Sequence, residues 1–365
     1  MSSRTEITVN LAARSYRILV SPGALEGVGA ELAKLGVGRK AALVTDAAIV
    51  KRYGSLVRQS LETAGFELCA ILVPEGEDAK TLDVAREAWD RLLAAGCDRT
   101  STVVALGGGA VGDLAGFVAA TYMRGMNLIQ VPTTLLAQVD ASIGGKTAID
   151  HPRTKNLIGA FHQPRLVVVD PATLSTLPER QFRSGLAEVI KHGIVLDAGY
   201  FADLEQNLDA LLRRDLPTVA RVVTGSCQIK ASIVERDERE AELRHVLNYG
   251  HTIGHALEVA TDFTRWAHGE AVALGIVAEA RLAERLGIAR EATTARQVRL
   301  LRAAGLPVTG LGAAPAAILD ALRRDKKAKD GRVPFVFAPE IGSHRLVYEV
   351  PPAAVLQTLE ELVPA

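Results

Sequence analysis

Residues 102–113, TVVALGGGAVGD, decide the architecture of the N-terminal half. Thr102 to Leu106 form a continuous β-rich apolar run, as expected of a strand buried on both faces. Gly107, Gly109 and Gly112 follow with G-x-G-x-x-G spacing, and an apolar helical stretch begins at once. Glycines placed this way let a phosphate approach the backbone, while the new helix offers unpaired N–H groups and the positive end of its dipole. The same glycines would also serve close packing of helix on strand. The motif follows the third strand of its series, whereas the usual dinucleotide fingerprint follows the first.

Working outward, residues 41–46, 68–73, 128–131 and 166–169 have strand character. Helical stretches run to residue 64 and over 81–95 between them. This alternation predicts an α/β, Rossmann-like parallel sheet with covered faces. Asp46 ends the first of these strands, placed either to hold a ribose hydroxyl or to cap the next helix. PEGEDAK at 74–80 and PTT at 132–134 are polar loops at strand ends. The hydroxyls of Thr133 and Thr134 suit phosphate or ribose contacts. Residues 138–164 are too polar and glycine-rich for a core element, so they read as one long loop carrying Asp140, Lys146, Lys155 and Asn156. Its lysines suit an anionic substrate bearing phosphate or carboxylate.

Past residue 171 the strand signal fades. Helical spacing recurs over 182–196, 200–213, 216–234, 251–260, 269–286 and 293–304, and a short hairpin is expected from 335–337 to 345–349. The chain therefore divides into an α/β nucleotide-binding domain, 1–175, and an α-helical metal- and substrate-binding domain, 176–365.

Within the helical half, residues 247–270 read LNYGHTIGHALEVATDFTRWAHGE and hold three of the eight histidines. His251 and His255, four apart on a helix, would stand roughly 5–6 Å apart at Cβ and could converge on one ion. They could equally be polar residues on a helix face. His268, followed by Gly269 and Glu270, adds a third imidazole. Upstream, Glu188 and Lys191 lie three apart in GLAEVIKHG, either as a simple ion pair or with the carboxylate buried and seeking a cation. Glu188 with two histidines would make a His₂Glu catalytic metal site.

Acidic and basic residues balance at 42 each, so no net field favours nucleic acid or an anionic membrane. Aromatics are only 4% of the chain, and the core must be built mainly from Ala, Val, Leu and Ile. Cys69, Cys97 and Cys227 are odd in number and far apart, against disulfides and thiolate metal sites. With no secretory signal and no apolar membrane span, a cytoplasmic location is expected.

The segments ALGGGAVGDLAGFVAATYMRG, VPTTLLAQVDASIGGKTAIDHPRTKNLIGAFHQP, LPERQFRSGLAEVIKHG, LNYGHTIGHALE and HGEAVALG occur in one order between about residues 45 and 342. In sequence and separation they resemble the 3-dehydroquinate synthases, which belong to the sugar-phosphate cyclases and are more distantly related to iron-dependent alcohol dehydrogenases. The resemblance implies an NAD-binding N-terminal domain and a helical metal-binding C-terminal domain, with zinc or cobalt as the ion. It implies conversion of 3-deoxy-D-arabino-heptulosonate 7-phosphate to 3-dehydroquinate and phosphate: transient oxidation, β-elimination, re-reduction, ring opening and aldol closure. It implies Glu188, His251 and His268 as metal ligands, and moves His255 to the substrate side. Lys146, Asn156, Lys191, Lys230, Arg244, Asn248 and Asp140 resemble residues around the substrate, as does Lys326 or Lys327. Arg124 matches a residue that reaches a neighbouring subunit's site, as in a homodimer. Asp46, Glu77, Lys80, Gly108, Gly109, Asp113, Thr133, Thr134, Lys155 and Thr176 match NAD-contacting positions, to which Lys146 is added. The chain departs from the family pattern at Asp150, where Asn is usual, and at Glu242, where glycine is common.

Three other classes stay open on residues alone: another sugar-phosphate cyclase, a metal- and NAD-dependent polyol dehydrogenase, and a non-catalytic nucleotide-binding protein.

Overall fold

The computed structural model describes residues 4–152, 154–323 and 334–363. Lys326 and Lys327 lie outside them. By packing, the chain forms two compact units, Met1–Leu177 with Leu216–Arg239 and Pro178–Asp215 with Glu240–Ala365.

The first unit is built on a seven-stranded sheet. Its strands are β1 (Thr5–Val9), β2 (Tyr16–Val20), β3 (Lys40–Asp46), β4 (Glu67–Val73), β5 (Thr102–Gly107), β6 (Asn127–Pro132) and β9 (Leu166–Val169). A separate hairpin comprises β7 (Lys146–His151) and β8 (Thr154–Phe161). The sheet order is β1-β2-β9-β6-β5-β3-β4, antiparallel only between β1 and β2.

Successive residues of the central strands feed opposite cores, as the two-residue period of a strand dictates. Ala42, Val44, Val103 and Ala105 join one cluster with α3 (Leu82–Ala94) and α4 (Gly109–Thr121). Ala41, Leu43, Val104 and Leu106 join the other with α1 (Val28–Ala33) and α2 (Ser55–Thr63). Every residue of β5 is buried, which explains why its run is continuously apolar rather than alternating.

Residues 138–164 are not one irregular loop. They hold a π-helical turn, Ala137–Ala141, and the β7–β8 hairpin. Thr147 and Ile149 of β7 are buried, and Thr147 packs where α4 has Gly116; a Cβ at Gly116 would lie 2.3 Å from its Cγ2. Residues 156–159 of β8 are exposed, so the hairpin lacks the apolar alternation by which a strand is recognised in sequence.

Helical spacing at 216–234 groups that stretch with the C-terminal helices. The helix it forms, α7 (Leu216–Arg236), instead packs on β1, β2 and the π-helical turn of the first unit. Glu235 accepts from the backbone and side-chain nitrogens of Asn10 at 2.7 Å each.

The second unit contains α5 (Glu179–Leu196), α6 (Ala198–Leu212), α8 (His251–Ala260), α9 (His268–Arg285), α10 (Glu291–Ala303), α11 (Pro315–Arg323) and α12 (Pro352–Glu361). The expected hairpin is present, β10 (Phe335–Phe337) against β11 (Arg345–Val347). Among the described residues no helix is long and apolar enough to cross a membrane.

Glycines set the spacing around the histidines. Gly250 adopts φ 78°, a left-handed conformation that enters α8 just before His251. A Cβ on Gly275 would lie 1.9 Å from the Gly250 carbonyl oxygen, so α8 and α9 meet backbone to backbone.

Candidate metal centre and glycine-rich loop

The glycine-rich turn has the geometry its spacing predicts. Gly107 ends β5, Gly108 is extended at φ −77° and ψ −173°, and α4 starts at Gly109 with no side-chain cap. The first N–H groups of α4 are therefore unclaimed by a cap, and the positive end of its dipole is open to an anion. None of these glycines is needed for a left-handed backbone; space is the reason for them. A Cβ at Gly112 would lie 2.8 Å from Gln130 Oε1, and one at Gly108 would lie 3.2 Å from Thr134 Cγ2.

Thr133 is buried, donates its N–H to the Gly107 carbonyl at 2.9 Å, and has a hydroxyl with no hydrogen-bond partner. The Thr134 hydroxyl accepts from the Ala137 N–H at 3.2 Å. Asp46 caps its helix, accepting from the Ile49 N–H at 2.9 Å. Thr176 Oγ1 is 2.6 Å from the Tyr53 hydroxyl.

Lys80 is the hub of the same unit. Its side chain is 2% exposed, its ammonium donates to Asp113 at 2.9 Å and to the Asn156 amide oxygen, and Glu77 and Asp150 each stand 3.8 Å away. Burial alone would lower its pKa, but Asp113 and Glu77 hold it above the usual lysine value. Burial raises the Asp113 and Glu77 carboxyls despite the ammonium. Lys155 lies 4.0 Å from Glu77. Asn156 adopts φ 55° and donates its N–H to Asp150 at 2.7 Å, so the unusual Asp150 is part of this network. Lys146 begins β7 and is exposed.

Lys230, on α7, donates to the Asp140 backbone carbonyl at 2.5 Å and pairs with its carboxylate at 2.7 Å. One turn earlier Cys227 donates to the Gln138 carbonyl at 3.3 Å. These donors meet carbonyls of the π-helical turn, where the regular helical ladder is interrupted. Arg124 is exposed, with φ 65°.

In the second unit Glu188 is fully buried on α5. Its Oε1 is 3.3 Å from His251 Nε2 and 3.5 Å from His268 Nε2, while Lys191 pairs with Oε2 and donates to the Leu247 carbonyl at 2.6 Å. Ligands about 2.0–2.1 Å from one tetrahedral ion stand about 3.3–3.4 Å from each other, close to these separations. The other ring nitrogens face acceptors: His251 Nδ1 is 3.2 Å from the Tyr249 carbonyl and His268 Nδ1 is 3.3 Å from Glu258. Both Nε2 atoms are thereby directed at Glu188. Burial, which would raise the Glu188 pKa, is outweighed by Lys191 and His251. Burial would lower His268, yet Glu188 and Glu258 push it up to about 10. Donor set, spacing and demand for positive charge all fit a divalent cation.

His255 joins His251 and His268 as a third ring, with centroids 5.1 and 5.9 Å away. Arg244 is buried in a 3-10 stretch, Leu243–Asn248, that ends in Asn248, whose amide donates to Glu240 at 3.1 Å. Glu270 is no ligand: Arg180 holds it at 2.6 and 2.8 Å, and it accepts from the Ala267 N–H at 2.8 Å. Two contributors had escaped the sequence reading. Glu258 sits seven residues past His251, on the histidine face of α8, and that spacing could have revealed it. Gly269, whose N–H donates to Ser184 Oγ at 3.0 Å, had no readable signal beyond being a glycine.

The fold, with its cluster of Glu188, His251 and His268, places the chain among the sugar-phosphate cyclases. It superposes at a TM-score of 0.88 on 2-epi-5-epi-valiolone synthase from Streptomyces hygroscopicus, solved with NAD⁺ and Zn²⁺ bound, with 29% identity and 99% of each chain covered. It superposes equally, at 26% identity over 98% of this chain and 100% of the other, on 2-deoxy-scyllo-inosose synthase complexed with carbaglucose-6-phosphate, NAD⁺ and Co²⁺. Family models described as 3-dehydroquinate synthase N-terminal and C-terminal match residues 70–184 and 185–328. The 3-dehydroquinate synthase of Pelotomaculum thermopropionicum is 52% identical over 337 residues, 92% of this chain and 91% of that protein. The chain belongs to the 3-dehydroquinate synthase family.

Proposed function

We propose that this chain converts 3-deoxy-D-arabino-heptulosonate 7-phosphate to 3-dehydroquinate and phosphate, using NAD and a divalent metal, zinc or cobalt. The observation that carries this reading is the convergence of Glu188, His251 and His268 at tetrahedral ligand spacing. When bound, NAD supplies reversible hydride exchange and the metal polarises a substrate hydroxyl. Glu188, His251 and His268 hold the ion. Lys191 neutralises the Glu188 oxygen that does not face the histidines.

Met1–Leu177 with Leu216–Arg239 is the nucleotide-binding part, and Pro178–Asp215 with Glu240–Ala365 is the metal-binding part. The α4 N-terminus with Gly108 and Gly109 takes the pyrophosphate. Asp46, Glu77, Lys80, Asp113, Thr133, Thr134, Lys146, Lys155 and Thr176 complete the NAD contacts. Lys146, Asn156, Asp140, Lys230, Lys191, Arg244, Asn248 and His255 bind the substrate. Their cationic members meet its carboxylate and phosphate. Arg124 serves the site of a second copy in a cytoplasmic homodimer, and Lys326 or Lys327 contacts phosphate.

The test is to mix the chain with NAD⁺, zinc and the heptulosonate phosphate and follow phosphate and NADH together. Phosphate release without lasting NADH is the expected result. Stable NADH would make it a dehydrogenase, and absence of phosphate release would overturn the proposal.

A further inference from the structure

A ligating imidazole uses one nitrogen for the ion and must keep its proton on the other. For His251 the proton acceptor is a backbone carbonyl two residues earlier, Tyr249, which accompanies the helix start itself. For His268 it is a side chain from another helix. Glu258 on α8 is nearly buried, its side chain 9% exposed, and its Oε1 lies 3.3 Å from His268 Nδ1. The opposite nitrogen of the same ring lies 3.5 Å from Glu188. Glu188, the His268 ring and Glu258 thus form one line across three helices, α5, α9 and α8.

We infer that Glu258 is a positioning residue for the metal centre: it accepts the Nδ1 proton of His268, fixing the tautomer and ring orientation in which Nε2 faces the ion. The inference rests on the metal-centre reading above. A carboxylate in this position also makes the ring a stronger donor than a neutral acceptor would. The donor atoms of His255, Glu258 and His268 lie within 4.8 Å of one another, a spacing that could suit a second cation. Such a cation would need His268 through Nδ1 while Nε2 serves the first, so the hydrogen-bonding role is the simpler one.

The experiment titrates zinc into the metal-stripped full chain against a chromophoric chelator, for wild type, Glu258→Ala, Glu258→Gln and His268→Ala. Glu258→Ala is expected to weaken zinc about ten- to a hundredfold, and Glu258→Gln, whose amide oxygen still accepts, to recover most of that. Proton NMR of the cobalt-loaded protein supplies a readout that general loosening would not imitate. Wild type should show two strongly shifted, solvent-exchangeable ring N–H signals, and Glu258→Ala should lose or broaden one of them. Wild-type affinity with both signals intact in Glu258→Ala would overturn the inference, as would two zinc equivalents per wild-type chain. If Glu258→Ala does not fold, Glu258→Gln decides: an unshifted second N–H signal overturns the inference, and a displaced one supports it. Unchanged zinc affinity in His268→Ala would instead remove the metal-centre reading itself.

Discussion

Gly269 and Ser184 touch at a separation only glycine permits: a Cβ on Gly269 would lie 1.8 Å from the Ser184 carbonyl oxygen. Ser184 is one turn before Glu188 on α5, and Gly269 directly follows His268 on α9. The contact therefore sets the distance between two of the three proposed ligands. Gly269→Ala must push the start of α9 away from α5. It is expected to lower stability by about 1–3 kcal/mol, the usual cost of overpacking, and to weaken zinc at least about tenfold. Denaturant unfolding and chelator competition measure the two effects. An alanine variant with native zinc affinity would show that the contact does not position His268.

Glu188→Gln keeps the shape of the side chain and removes its charge. The Lys191 ammonium, 1% exposed, would then lose its counter-ion inside the unit. The expected outcome is loss of turnover and of tight zinc binding. A destabilisation of the metal-free protein by about 3–5 kcal/mol should accompany it. NAD affinity should change by less than about twofold, because the glycine-rich loop belongs to the other unit. Activity, unfolding and NAD titration on the same preparation test all three, and His268→Ala should reproduce the loss of turnover with a smaller stability cost.

The parallel sheet was legible because β3, β5 and β9 are buried strands with unmistakable apolar runs beside a glycine turn. The β1–β2 pair is not legible because β1 is short, with three polar residues in five and only Val9 buried. At the metal centre, spacing alone paired His251 with His255, since residues four apart share a helix face. The structure brings Nε2 of His251 and His268 to Glu188 across three helices, a convergence that no local period encodes. Resemblance to a family supplied His268 where periodicity did not. Nothing in the pattern of 216–234 distinguishes a helix of the second unit from α7, because its partners, Asp140, Gln138 and Asn10, are all distant in sequence.

Lys80 is a buried cation that brings Asp113, Glu77, Asp150 and Asn156 together. Lys80→Met would leave Asp113 without its ion pair and the Asn156 amide without its donor. A cost of about 3 kcal/mol is expected, since one member of a buried charged pair is removed. NAD affinity should fall with it. Asp150→Asn, by contrast, keeps an oxygen for the Asn156 N–H and should change stability by less than about 1 kcal/mol. Equal losses from the two variants would mean that Lys80 contributes no more to the network than Asp150 does.

Cys227 is fully buried on α7, and burial pushes its thiol up to about 12. The thiolate is the reactive form, so this cysteine should be inert in the folded protein at pH 8. Cys97 is buried and Cys69 partly exposed, so a thiol reagent should titrate at most Cys69 quickly and all three cysteines only after denaturation. The folded-state pKa of Cys227 exceeds the unfolded value of about 8.5. Its contribution to stability is therefore complete below pH of about 8.5 and is lost as pH rises towards 12. Cys227→Ser should flatten that part of the stability profile, while the Lys230 contact with Asp140 keeps α7 in place. Rapid modification of Cys227 in native protein at pH 8, located by peptide mass mapping, would show that α7 opens from the sheet far more readily than its packing implies.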